Sequence, residues 1–242
     1  MESWTRRDLT IVAGLGDKCI VIACDSCGAV GEKAGDVHRV PVRYAAKFTA
    51  RVALSEVMCS GASPVTVTNG ASCEMTPTGA EIVLGIQDEL KNAGITDVVL
   101  TGSTEENFPA SMTAFAVTVI GIARENELKF GRAESGDKIV LLGRPYVGRE
   151  VDLEDAGFYE DIRRMLPMTD VREIVPAGSK GVMYEAETLA DLNGMEFRPF
   201  ETEIDFFKSA GPATCILALC AQSAVDSVLS IRPAGAVIGE LL

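Results

Sequence analysis

The chain has 242 residues, 47% of them hydrophobic, enough to bury a substantial core divided between two modest domains. Its 22 Lys and Arg face 35 Asp and Glu, a formal net charge of −13 that disfavours nucleic acid or an anionic membrane as the main partner. Met1-Glu-Ser-Trp-Thr-Arg-Arg7 lacks the apolar core of a signal peptide, and no apolar stretch approaches the roughly 20 residues that span a bilayer, so a soluble, cytoplasmic protein is expected.

In chain order, Ile11 to Ala13 and Cys19 to Ala23 read as apolar, β-branched strands joined by the tight turn Gly14-Leu-Gly-Asp-Lys18. The second strand is expected to end at Asp25 and open into a loop with glycines at 28, 31 and 35 and Lys33 among its acids. Such a loop lets backbone approach a phosphate, and a carboxylate at a strand's end can hold a hard cation; the plain alternative is an acidic surface turn.

From Arg43 to Ser60 the apolar period becomes helical, with Phe48, Val52 and Cys59 on one face and Ala46, Ala53 and Val57 on another. Glu56 falls in a polar strip with Thr49 and Ser60, where it needs a cation, an arginine or solvent. Gly61-Ala-Ser-Pro64 ends the helix and Val65 to Thr68 alternates as a strand. Thr78 and Glu81 form a candidate capping box for a helix with core residues Ile82, Ile86 and Leu90, stopped by Gly94. Asp97 to Leu100 is a strand that delivers the polar loop Thr101-Gly-Ser-Thr-Glu-Glu-Asn-Phe-Pro109, and Ala114 to Ala123 is a long strand.

The charged, aperiodic Arg124 to Gly136 marks a boundary between domains at 1–123 and 137–242. Beyond it, Ile139 to Leu142, Thr214 to Leu219 and Ala236 to Ile238 read as strands, while Phe158 to Leu166 and Val182 to Leu192 read as helices. Strands and helices interleave in both halves. That implies an α+β protein of two α/β sandwich domains with mixed sheets.

The seven cysteines form no metal pattern, because Cys24-Asp-Ser-Cys27 has no second CxxC and His38 is the single histidine. Most are expected to be reduced and buried, and His38 to be structural or solvated. Phosphate-loop, GxGxxG, GxSxG and HExxH motifs are absent from the sequence. What remains is carboxylates: Asp17, Asp25, Glu56 and Glu105 or Glu106, a distribution suited to holding Mg²⁺ against phosphates.

These blocks resemble the superfamily of aminoimidazole ribonucleotide synthetase, thiamine monophosphate kinase, selenophosphate synthase and the hydrogenase maturation protein of the same fold. Gly14-Leu-Gly-Asp17 is similar to the start of the thiamine kinases, although their second Asp is Lys18 here. Gly28-Ala-Val-Gly-Glu-Lys33 resembles a loop of the purine enzyme, and Arg51 to Pro64 resembles the helix that carries a metal-binding acid. Asp25 to Asp36, Ala50 to Glu56, Thr101 to Pro109 and Ser209 to Cys215 together are most similar to the alpha-ribazole kinases of cobalamin salvage.

That resemblance implies a homodimeric ATP-dependent kinase that phosphorylates the 5′-hydroxyl of a small nucleoside, alpha-ribazole. It implies ATP against Gly28, Gly31, Lys33, Gly102, Ser103 and Thr104, and Mg²⁺ on Asp25, Glu56 and Glu105. Lys33 would offset charge on the transferring group, and Asp17 would be a metal ligand or general base.

Overall fold

A computed structural model describes residues 1–151 and 157–242. The chain divides into two compact units, Met1–Val57 with Ser63–Ala123, and Met58–Ala62 with Arg124–Leu242. No helix among the described residues is long and apolar enough to cross a membrane.

The first unit contains β1 (Glu2–Arg6), β2 (Leu9–Leu15), β3 (Lys18–Gly28), the short β4 (Val30–Gly31) and β5 (His38–Arg39), and α1 (Val42–Cys59). It continues with β6 (Ser63–Ala71), α2 (Ala80–Asn92), β7 (Val99–Thr104) and β8 (Ala114–Arg124). The main sheet runs β1-β2-β3-β8-β6-β7, with β6 and β7 parallel, while β4 and β5 make a separate parallel pair. Alternation decides its two faces. Ile11, Val21, Val67, Val117 and Val119 are fully buried, whereas Val12, Ile20, Ile22, Thr66, Thr118 and Ile120 on the opposite face stay half-buried.

Both helices were legible from their period, and α1 is buried around most of its second half. On α2, Ile82, Ile86 and Leu90 form the expected buried stripe, and Gly94 takes the left-handed φ of +64° just past the helix end. The expected capping box does not form. The helix begins at Ala80 with no side-chain cap, because the Thr78 hydroxyl donates instead to Glu74 Oε1 at 2.5 Å. Helix α2 crosses α1 at Gly85, where a Cβ would fall on the Arg43 carbonyl oxygen and 2.8 Å from the Ala46 Cβ. Arg43 then reaches Asp88 one turn along, with Nε–Oδ2 at 2.5 Å.

The second unit contains β9 (Lys138–Gly143), α3 (Gly157–Met165), β10 (Val171–Pro176), α4 (Gly181–Leu192), β11 (Phe197–Pro199), β12 (Cys215–Cys220), α5 (Val225–Leu229) and β13 (Gly235–Leu241). Its sheet runs β10-β12-β9-β13-β11 and is antiparallel throughout, so the parallel pairing of main-sheet strands is confined to the first unit. Strands β9 and β12 are buried on both faces, which explains their unbroken apolar runs. Ile139, Leu141, Leu217 and Leu219 share one core with Val182, Ala186 and Leu189 of α4.

Strands β1, β4, β5, β10 and β11 and helix α5 escaped the sequence reading, β1 and β10 for the same reason. Edge strand β1 is largely polar, and β10 carries Arg172 and Glu173 inside its run. Those charges meet tertiary partners: Arg172 pairs with Glu134 at 3.3 Å and approaches Asp137 at 3.5 Å, although its buried Nε makes no hydrogen bond, and Glu173 accepts from Asn193.

Gly85→Ala tests the helix crossing. Alanine raises helix propensity by up to about 1 kcal/mol, but the clash here is with backbone, and overpacking costs about 1–3 kcal/mol. A net loss of stability in urea unfolding is expected; a gain would mean that the two helices can part at no cost.

Candidate functional site

The ends of β3, β6 and β7 and the start of β8 lie at one end of the first sheet. Ala71 of β6 faces Phe115 of β8 and Thr104 of β7, and the Ala29 N–H just past β3 donates to the Thr113 carbonyl at 2.8 Å. Polar loops leave from each strand end, an arrangement that often creates a ligand crevice in α/β sheets.

The glycine loop is fixed by Asp36. This buried carboxylate accepts from the Thr113 N–H at 2.7 Å, the Thr113 hydroxyl at 2.8 Å and the Lys33 N–H at 2.8 Å. Burial opposes its ionisation, but those bonds, with Arg39 nearby, outweigh it and hold the carboxyl below its usual range. Gly31 is required by the same contact, since a Cβ would sit 2.5 Å from Thr113 Oγ1 and 2.8 Å from Asp36 Oδ2. Gly28 is exposed at the end of β3, which runs three residues past the expected end at Asp25. Asp25 and Cys27 therefore project from the strand's inner side rather than from a loop.

Lys33 is held at its other end by Glu74, which the sequence reading did not single out. Lys33 Nζ lies 2.8 Å and 2.6 Å from the two Glu74 oxygens. The Lys33 hydrogen bond, with that of Thr78, brings the Glu74 carboxyl down to about 2, against the opposing effect of burial. Glu74 lies between two β-adjacent loops: the Glu105 N–H donates to the Cys73 carbonyl, while Glu106 Oε1 accepts from Met75 N–H at 2.7 Å and Thr104 Oγ1 at 2.9 Å. Thus Lys33, Thr104, Glu105 and Glu106 are brought to one neighbourhood. Glu105 Oε1 caps the loop by accepting from the Asn107 N–H. Ser103 is exposed on β7, and Gly102 packs against Asn69 so tightly that a Cβ would fall on its side-chain and backbone oxygens.

A second polar group lies where β2 begins beside the end of β3. Glu56 is nearly buried and is engaged by Arg7, with Nη1–Oε2 at 2.8 Å and Nη2–Oε1 at 3.3 Å. Of the readings left open for Glu56, the structure shows the arginine pair. Asp25 differs: burial pushes its carboxyl up to about 6, the Ser26 N–H lowers it and Asp8 raises it further. The Cys27 thiol, in contact with Thr49, is likewise pushed up by burial and by the charges of Asp25 and Asp36.

Asp25, Glu56 and Glu105 do not converge as a set. Among the described residues no group of three or more His, Cys, Asp or Glu side chains is placed to hold a metal ion. Asp17 stands apart from all of them, in the β2–β3 turn at the opposite end of β3 from Asp25, about 26 Å of extended chain away. His38 is exposed on β5, and five of the seven cysteines are buried. Arg7, Asp8, Glu74 and Thr113 carried no local signal, because each acts through a partner distant in the chain.

The high Asp25 value has a pH consequence. With a folded value near 6 against 3.8 unfolded, the folded state binds the extra proton, so this group's effect on stability becomes unfavourable as pH rises from 3.8 through 6. Asp25→Asn should match the native protein in urea unfolding below pH 4 and exceed it above pH 7, by on the order of 1–2 kcal/mol after allowing for partial exposure. Equal stability at both pH values would remove the burial cost assigned to Asp25.

Comparison with known proteins follows the same geography. Residues 8–123 match the family described as AIR synthase related protein, N-terminal domain. T. maritima PurL complexed with ATP superimposes with a TM-score of 0.71 at 16% identity, over 96% of this chain and 42% of that one. A HypE–HypF complex gives 0.69 at 16% identity, covering 96% and 86%. Hydrogenase maturation protein HypE in complex with ATP gives 0.67 at 14%, covering 92% and 76%. The chain spans about two fifths of the length of the PurL structures it matches. No curated protein sequence matches it. The family match covers just under half of the chain, and the structural likeness shows that the protein shares the fold of PurL and HypE.

Proposed function

We propose that this protein is an ATP-dependent small-molecule kinase that transfers the γ-phosphoryl group of ATP to the 5′-hydroxyl of alpha-ribazole. The observation that supports it best is the gathering of the glycine loop, Lys33 and the Thr104 to Glu106 loop at one sheet end. PurL and HypE, which share the fold, have been captured with ATP. In this reading Gly28, Gly31, Gly102, Ser103 and Thr104 form the nucleotide's surroundings, and Lys33 meets its phosphates.

The residues fit Mg²⁺. Asp25 is a partly buried carboxylate with Asp8 beside it and a raised pKa, an environment that a divalent cation would relieve. This ion commonly takes one or two carboxylates plus phosphate oxygens. Asp25 and Glu105, which do not converge, are proposed to hold separate Mg²⁺ ions, with Glu56 acting through Arg7 and Asp17 taking no part. Bound Mg²⁺ would neutralise charge on the phosphates. The acceptor oxygen attacks the γ-phosphorus, the bond from it to the β,γ-bridging oxygen breaks, ADP leaves with that oxygen and the hydroxyl proton passes to solvent water, so the chain's task is positioning and electrostatics.

A homodimer is part of the proposal. The half-buried face of the first sheet carries Val12, Ile20, Ile22, Thr66, Thr118 and Ile120 and no charge among them, suited to burial against a second copy. A second reading, a nucleotide-binding protein without turnover, draws on the Arg7 pair that occupies both oxygens of Glu56.

Two measurements decide between these. ATP titrated calorimetrically should bind at least about tenfold more weakly in chelator than in Mg²⁺, and equal affinity would remove the metal from the site. With MgATP fixed, kcat/KM for alpha-ribazole should exceed that for adenosine and thiamine monophosphate by about a hundredfold. Preference for thiamine monophosphate, or ADP formed with no phosphorylated nucleoside, overturns the acceptor; ATP binding without any ADP supports the second reading.

A further inference from the structure

We infer that Glu74 is the positioning residue for Lys33, holding its ammonium at the place where the nucleotide's phosphates arrive; this rests on the kinase reading above. Lysine has a flexible four-carbon stem and its ammonium is a point charge, so it must be ordered before it can favour one phosphate position. Here it is ordered at both ends. Its backbone N–H is tied to Asp36, and its Nζ lies within 2.8 Å of both Glu74 oxygens, with the Lys33 side chain 16% exposed.

Glu74 is itself fixed. Its Oε1 accepts from the hydroxyl of Thr78, a residue buried in the turn before α2, and the Gly79 N–H donates to the Glu74 carbonyl at 2.9 Å. No room is left for Gly79 to be anything larger without moving the neighbouring chain, since a Cβ there would lie 3.1 Å from both the Glu74 carbonyl oxygen and Thr104 Cγ2. The carboxylate thus stands on the frame that also carries Thr104 and Glu106.

The pair also sets an electrostatic condition. Glu74 neutralises Lys33 in the free protein, and an incoming phosphate must share the ammonium with it. Removing the carboxylate charge therefore has two opposite effects: phosphate meets an uncompensated cation and binds more tightly, while the cation loses its fixed position and turns over more slowly.

Glu74→Gln tests this in the full-length protein. KM for MgATP should fall at least about threefold, the size of one exposed ion pair, while kcat falls about tenfold. Loss of folded protein alone would lower kcat and leave KM unchanged. Calorimetric titration of MgATP should show the same tightening without reliance on turnover. Because Glu74 acts through Lys33, the double variant Lys33→Gln/Glu74→Gln should behave as Lys33→Gln alone, and multiplicative effects would overturn the inference. Should Glu74→Gln fold poorly, Thr78→Val removes only the brace and should lower kcat in the same direction by a smaller factor. Native KM and kcat in both Glu74→Gln and Thr78→Val overturn the inference while leaving the kinase reading intact. A wild-type protein that binds no MgATP overturns both.

Discussion

The glycine loop keeps its shape through one buried carboxylate. Asp36 accepts from both donors of Thr113 and from the Lys33 backbone, so it fastens the segment after β3 to the residue that opens β8. Everything in the candidate site is referred to that attachment: Gly31 must lack a side chain because of it, and Lys33 starts from a fixed backbone. The ion pair from Lys33 to Glu74 then carries the same order across to the β6 and β7 ends. A charge-assisted hydrogen bond counts for most where its donors are already in place, and Thr113 is fully buried at a strand start.

A net charge of −13 could suggest a protein crowded with unpaired acids. The fold distributes them otherwise. Glu56 is matched to Arg7, Glu74 to Lys33, and the fully buried Glu89 to Arg51 at 2.7 Å, with Asn92 adding a bond at 3.3 Å. Buried pairs like the last rarely add stability over an apolar pair, but losing one partner is expensive, which makes them strict about geometry. Asp25 differs in having burial and Asp8 both opposing its charge. Its environment is one that a nearby cation would relieve.

How much could be seen beforehand depended on range. Helices α1 and α2 and strands β2, β3, β8, β9 and β12 were legible because each buries a regular stripe or a continuous apolar run. Their ends were less so: β3 continues through Asp25 because its inner-face pattern persists to Cys27, beyond the apolar residues that announced it. The glycine loop was legible as a polar stretch past a strand, and so was the stretch 101–109, although β7 runs on through Thr101 to Thr104 before the loop begins. Glu74, Arg7 and Thr113 were not, since a glutamate between Cys73 and Met75 has no periodicity and its partner is 41 residues away. Glu56 was rightly seen as a carboxylate in need of a partner, and only the fold could say which. Asp17 resembled a functional aspartate by its neighbours in sequence, while strand geometry carries it to the far end of β3.

Cys24 sits at the border of the uncharged sheet face. It is on β3 with Ile20 and Ile22, on the side opposite Asp25, and it is the exposed member of the seven thiols. Thiol reagents need an accessible sulfur, and burial pushes Cys215 and Cys220 up to about 12, which makes them poor competitors at neutral pH. A maleimide or disulfide probe would therefore report first from Cys24. The protein thus carries a native chemical sensor for occlusion of that face, readable by mass spectrometry at any concentration without introducing a label site.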